Sequence, residues 1–195
     1  MQQTMIEPVV SLAERQLSRR GLLGGAMIGA AGLALPVPAL AAGGEWRLAF
    51  RNVHNNEITD ALFARNGQFV ADGLAELNHG LRDWRTGEVT QIDRRLLALL
   101  VRVRDTAGVA GNRKIDLISG YRSPKTNAGL RAAGHSGVAS RSQHMLGHAT
   151  DIAIPGVSLE RLRAAAASLG AGGVGFYPRD GFVHVDNAGV RHWQG

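Results

Sequence analysis

The chain has 195 residues, 45% of them hydrophobic, and 22 Lys and Arg against 16 Asp and Glu give it a net charge of +6. That length suits one domain behind a leader, and the apolar content can fill a sizeable core. Cysteine is absent, which excludes disulfides and thiolate ligands, so any metal site must be built from His, Asp and Glu.

In chain order, paired Arg19 and Arg20 precede an apolar run rich in Gly and Ala that ends near Leu40, and Ala39-Leu40-Ala41 offers a small-residue cleavage site. This predicts a twin-arginine signal peptide over residues 1–41 and a mature domain over 42–195, exported to the periplasm. The run is nearly long enough to span a bilayer, but its glycines, with Pro36 and Pro38, fit a cleaved leader better, so no lasting membrane anchor is expected. Its removal leaves the charge positive, and a basic surface favours anionic partners. Nucleic acid is not expected among them, because no recognition motif or aromatic platform interleaved with arginine is present.

Trp46, Leu48 and Phe50 alternate with Arg47 and Arg51, which predicts a strand over 45–53; the turn at Asn55 and Asn56 leads to a weaker strand over 58–63 and so to a hairpin. Helical spacing of apolar residues follows over 69–84 and again over 93–107, and His79 and Trp84 read as packing residues there. A short buried strand over 114–119 is broken by Gly120, and Pro124 opens a helix behind the Tyr121-Arg122-Ser123 loop. The glycine-rich stretch over 133–141, with His135, reads as a cleft wall.

The most informative segment is Ser142-Gln-His-Met-Leu-Gly-His-Ala-Thr-Asp151. Gly147, Ala149 and Asp151 alternate, which predicts a strand over 147–154 with a carboxylate on its small-residue face and His144 on a loop just ahead. Ser158 caps a helix running to Leu169. A hairpin of strands over 174–177 and 182–186 then points His184 and Asp186 to one side. If these strands are neighbours, two imidazoles and two carboxylates converge, and two His with one carboxylate is a ligand set of catalytic zinc sites. Taken singly, His144 also reads as a solvated loop residue and Asp151 as a turn cap. A helical His144/His148 metal pair fails, since Met145 stands where a general base is needed and Gly147 weakens a helix.

Ser142-x-His144-x-x-Gly147-x-Ala149-x-Asp151 with His184-x-Asp186 resembles the signature of the zinc peptidases related to D-Ala-D-Ala carboxypeptidases and dipeptidases. The segment from Leu117 to Asn127, the run from Ala171 to Arg179 and the ending from Phe182 to Trp193 resemble the branch containing murein endopeptidases. The resemblance covers nearly everything after residue 45. It implies an α+β fold, a small antiparallel sheet with helices packed on one side, as in hedgehog-like and D-Ala-D-Ala peptidases. It implies Zn²⁺ held by His144, Asp151 and His184, and hydrolysis of amide bonds in the peptide cross-links of peptidoglycan by a monomer.

Arg122 matches an arginine that stabilises developing negative charge in such relatives. The carboxypeptidases and dipeptidases carry a Glu three residues before the last His ligand, where this chain has Gly181. Asp186 is the nearest other carboxylate, as a base or as a partner that orients His184, and His192 is a further candidate for proton transfer or substrate contact. Two alternatives stand beside the endopeptidase: a D,D- or L,D-carboxypeptidase that trims stem peptides, and a peptidoglycan-binding module with zinc as a structural pin.

Overall fold

A computed structural model describes residues 44–134 and 138–195. The expected signal peptide and His135 lie outside the described residues. Eight strands and four helices form an α+β fold, as expected, around one sheet of order β3-β2-β1-β4-β5-β7-β6-β8. The strands are β1 (Glu45–Asn52), β2 (Ile58–Arg65), β3 (Gln68–Phe69), β4 (Lys114–Ser119), β5 (Ala149–Ala153), β6 (Gly173–Tyr177), β7 (Phe182–Asp186) and β8 (Arg191–Gln194). The helices are α1 (Ala71–Gly80), α2 (Arg94–Thr106), α3 (Pro124–Ala132) and α4 (Leu159–Ser168).

The sheet is larger than expected and mixed. Its centre is antiparallel, but β1 pairs parallel with β4 and β6 pairs parallel with β8. A parallel neighbour needs a crossover; α1 and α2 supply it between β2 and β4. The hairpins β1–β2 and β6–β7 form as their alternation and turns predict.

Alternation sorts the two faces of the sheet. Leu48, Phe50, Ile115, Leu117, Ile152, Val183 and Val185 join one buried cluster with Leu96, Leu97 and Leu100 of α2 and Leu162 of α4. Ala149, Asp151, His184 and Asp186 occupy the opposite face. Capping fixes the helix starts: the side chains of Asp93, Ser123 and Ser158 accept from the backbone N–H of Arg95, Thr126 and Arg161. No helix among the described residues is long and apolar enough to cross a membrane.

The strand expected from Gly147 begins at Ala149. Gln143–Leu146 form a 3-10 turn instead, and Gly147 ends it in the left-handed region with φ 69°. A side chain there would also meet the Gln91 carbonyl, so glycine is required on both counts.

Candidate active site

β5 and β7 pair so that Asp151 stands directly opposite His184, with Ala149 opposite Asp186. Cross-strand partners in an antiparallel pair bring their side chains together on one face. His144 reaches the same point from the 3-10 turn, where Ser142 caps the turn through the His144 N–H. His184 Nδ1 is 2.8 Å from Asp151 Oδ1, His144 Nε2 is 3.2 Å from the same oxygen, and the two ring nitrogens are 3.2 Å apart. All three residues are buried.

The far side of each ring decides what the near side offers. His144 Nδ1 lies 2.7 Å from the Gly120 carbonyl, which can only accept, so that nitrogen carries the proton and Nε2 is left with its lone pair. His184 Nε2 lies 3.0 Å from Asp186 Oδ2 and donates to it, which leaves Nδ1 with a lone pair when the ring is neutral. Two bare nitrogens and a carboxylate oxygen therefore face one another. Bonds of about 2.0 to 2.2 Å at tetrahedral angles set ligand atoms roughly 3.3 to 3.6 Å apart, a few tenths wider than this triangle. His144, Asp151 and His184 thus form a set able to hold a metal ion, and no other group of this kind occurs among the described residues.

Electrostatics report the same demand for a cation. Burial opposes ionisation of Asp151, yet His144 and His184 hold its pKa far below the usual carboxylate range. Burial likewise disfavours a charged His184, but Asp151 and Asp186 on either side outweigh it and push the ring up to about 9. His144 moves the other way, because burial dominates there and His184 and Arg122 add repulsion. Without a metal, a proton on His184 does part of the neutralising.

Asp186 is wholly buried and fully engaged. Oδ1 accepts from the N–H groups of Gly173 and Ala188 and from Arg191, and Oδ2 accepts from His184 and, at 2.6 Å, again from Arg191. Its carboxylate sits behind the His184 ring, on the side away from Asp151.

Arg122 stands at the rim, its guanidinium 3.5 Å from Asp151 Oδ2 and 3.5 Å from Ser119 Oγ, and its buried Nε has no partner. Three contacts fix its loop: Tyr121 N–H donates to the Leu81 carbonyl, Arg122 N–H to the His144 carbonyl, and Ser123 N–H to Asp83 Oδ2.

His192 is exposed and is not among the residues lining the cleft. It lies on β8, whose parallel register with β6 turns Arg191 and Trp193 toward the cleft and His192 to the opposite face. The expected part of His192 in proton transfer or substrate contact draws no support from this position. His148 points away from this group, its Nε2 3.6 Å from Asp93 Oδ2. Gly181 has φ 78° in the β6–β7 turn, a conformation that disfavours the Glu of the carboxypeptidase pattern.

The sequence reading missed Arg191, Trp193 and Asp83. The alternation of Arg191 and Trp193 against His192 was the available signal for the first two. Trp193 lies 5.2 Å from His184 between ring centres, and its Nε1 donates to the Tyr177 hydroxyl.

His144, Asp151 and His184 open into a cleft of about 300 Å³ lined also by Arg122, Arg141, Arg191 and Trp193. A second hollow of about 450 Å³ shares Arg122, Val138, Asp151, Tyr177 and Phe182 with it. The two hollows therefore adjoin at Asp151.

A protein-family model described as peptidoglycan L,D-endopeptidase MepK matches residues 41–193. The chain belongs to that family. A member from Escherichia coli strain K12, named peptidoglycan L,D-endopeptidase MepK, is 44% identical over 182 residues, covering 90% of this chain and 97% of that one. A family protein from Haemophilus influenzae, named a probable peptidoglycan L,D-endopeptidase MepK, is 38% identical over 148 residues, 76% of this chain and 78% of its own. No solved structure matches the chain significantly. Membership makes the chain a peptidase and accords with the motif resemblance, which pointed to the murein endopeptidase branch.

Proposed function

We propose that this chain is a zinc-dependent peptidoglycan endopeptidase that hydrolyses an L-to-D amide bond in cell-wall cross-links. The carrying observation is the convergence of one nitrogen from each imidazole and one carboxylate oxygen on a point open to a cleft. His144, Asp151 and His184 are the proposed zinc ligands. Zinc bound there supplies Lewis acidity and a water made acidic near neutral pH.

The protein's own groups do the rest. Arg122, with an unpartnered Nε and long contacts from its terminal nitrogen, has donors to spare for the oxygen on which negative charge develops. Asp186 holds the His184 ring and its tautomer; a carboxylate saturated by five donors is poorly placed to accept another proton. Two features favour this enzyme over the alternatives. Two adjoining hollows at Asp151 give room for a chain that continues past the scissile bond, unlike a site built to trim a terminus. Three protein ligands, with no fourth in the group among the described residues, leave room for solvent, whereas a structural zinc pin closes its coordination.

Residues 1–41 are proposed as a cleaved twin-arginine signal, with the mature protein acting as a monomer in the periplasm. Digestion of purified sacculi by the zinc-loaded mature protein and by His184→Ala tests the reading. The expected result is loss of cross-linked dimers with the unaltered protein alone. Release of single D-Ala instead would establish a trimming enzyme, and retained sacculus binding with no product would establish a binding module.

A further inference from the structure

The second arm of the groove holds an arginine that the hydrolytic chemistry does not use. Arg85 lies over Trp84, its guanidinium carbon 4.2 Å from the ring centre, and His54 stacks on Trp84 with ring centres 4.1 Å apart and planes 17° from parallel. Two groups this close to one ring centre occupy opposite faces, so Trp84 is sandwiched. His54 Nε2 in turn lies 2.9 Å from the Ile118 carbonyl on β4, which ties the sandwich to the sheet.

Asp83 couples this arginine to the catalytic loop. Its Oδ1 accepts from Arg85 N–H at 3.0 Å and its Oδ2 from Ser123 N–H at 2.8 Å, so one buried carboxylate sets the positions of Arg85 and of the residue after Arg122. Arg85 and Arg122 line the same arm. The guanidinium of Arg85 has no carboxylate partner among the described residues, although Asp180 also borders the arm. Burial, with repulsion from Arg122 added, disfavours its charged form despite the help of Asp83. Two like charges fixed in one hollow, one of them unpaired, favour an anionic ligand between them.

We propose that Arg85, held on the Trp84–His54 stack, binds a free carboxylate of the peptide strand lying beyond Arg122, and so selects cross-linked substrates that carry that carboxylate. This rests on the peptidase reading and names a specificity determinant within it. The ligand class is a peptide with a free backbone-type carboxylate near the scissile amide, a group that an amidated stem lacks.

The test compares an L,D-linked peptide dimer bearing free carboxylates with its amidated counterpart, using zinc-loaded wild-type protein, Arg85→Gln and Arg85→Lys. One lost charge-assisted hydrogen bond predicts that Arg85→Gln raises KM for the free dimer roughly tenfold or more, with a smaller change in kcat. Arg85→Lys should recover part of that loss, and on the amidated dimer all three proteins should have the same kcat/KM. An unchanged KM on the free dimer, or an equal loss on both dimers, would overturn the proposal. If wild-type protein cleaves neither dimer, the peptidase reading fails on its own, and titration of the free dimer still decides the subsite. Weaker binding to Arg85→Gln by tenfold supports it; equal affinity sinks it.

Discussion

Asp186 is the residue whose chemistry and position pull in different directions. Lying two positions beyond His184, it resembles a base waiting beside the metal, but its oxygens are spent on Gly173, Ala188, Arg191 and the outer nitrogen of His184. Asp186→Asn should therefore weaken zinc binding by about 10- to 100-fold, measured by competition with a chromogenic chelator, and excess zinc should restore activity. Activity that stays lost at full zinc occupancy would return Asp186 to the role of base. At this scale the sequence was legible wherever strand alternation settled the face: Asp151, His184 and Asp186 all fall as their periodicity predicts. Which nitrogen of an imidazole faces which carboxylate depends on side-chain rotation, and no spacing encodes that. The face on which His192 falls was hidden for a related reason, since nothing in Arg191-His192-Trp193 announces a strand lying parallel to β6.

Among the elements, the segment between α1 and α2 has more structural consequence than its composition suggests. Asp83 is buried there and reaches the loop that opens α3, fastening the ground on which Arg122 stands. Burial pushes its pKa up, but hydrogen bonds from Thr126, Ser123 and Arg85 outweigh that and leave it below the ordinary value. A carboxyl depressed by folding adds stability that is present above its unfolded pKa and fades as pH falls through the folded one. Thermal unfolding followed from pH 7 downward should show Tm falling below about pH 4. Asp83→Asn should lower Tm at neutral pH and flatten that acid limb; an unchanged limb would show that other carboxylates set it. Helix starts and hairpins were open to prediction because caps and turns are local. Harder to foresee was the strand beginning at Ala149 rather than Gly147, because Gly147 closes a 3-10 turn packed against the Gln91 carbonyl, which lies far off in sequence.

For the molecule as a whole, the three proposed ligands come from a 3-10 turn and two neighbouring central strands, so a bound ion ties together segments that are 33 and 40 residues apart. A ligand that binds only the folded state stabilises it by mass action. Stripping the metal with a chelator should lower Tm, readdition of zinc should restore it, and His184→Ala should show neither response. Calorimetry of the three samples checks this, and identical transitions would mean that no ion is held. The individual strands and helices followed from periodicity, and the α+β class from the family resemblance. The strand order did not, because a parallel partner is chosen by long-range packing rather than by any local signal.

The bidentate clasp from Arg191 onto Asp186 hangs the hold on His184 from an edge strand. β8 is fastened to the sheet through β6, so its loosening would free the Asp186 carboxylate to turn, and with it the ring that this carboxylate steadies.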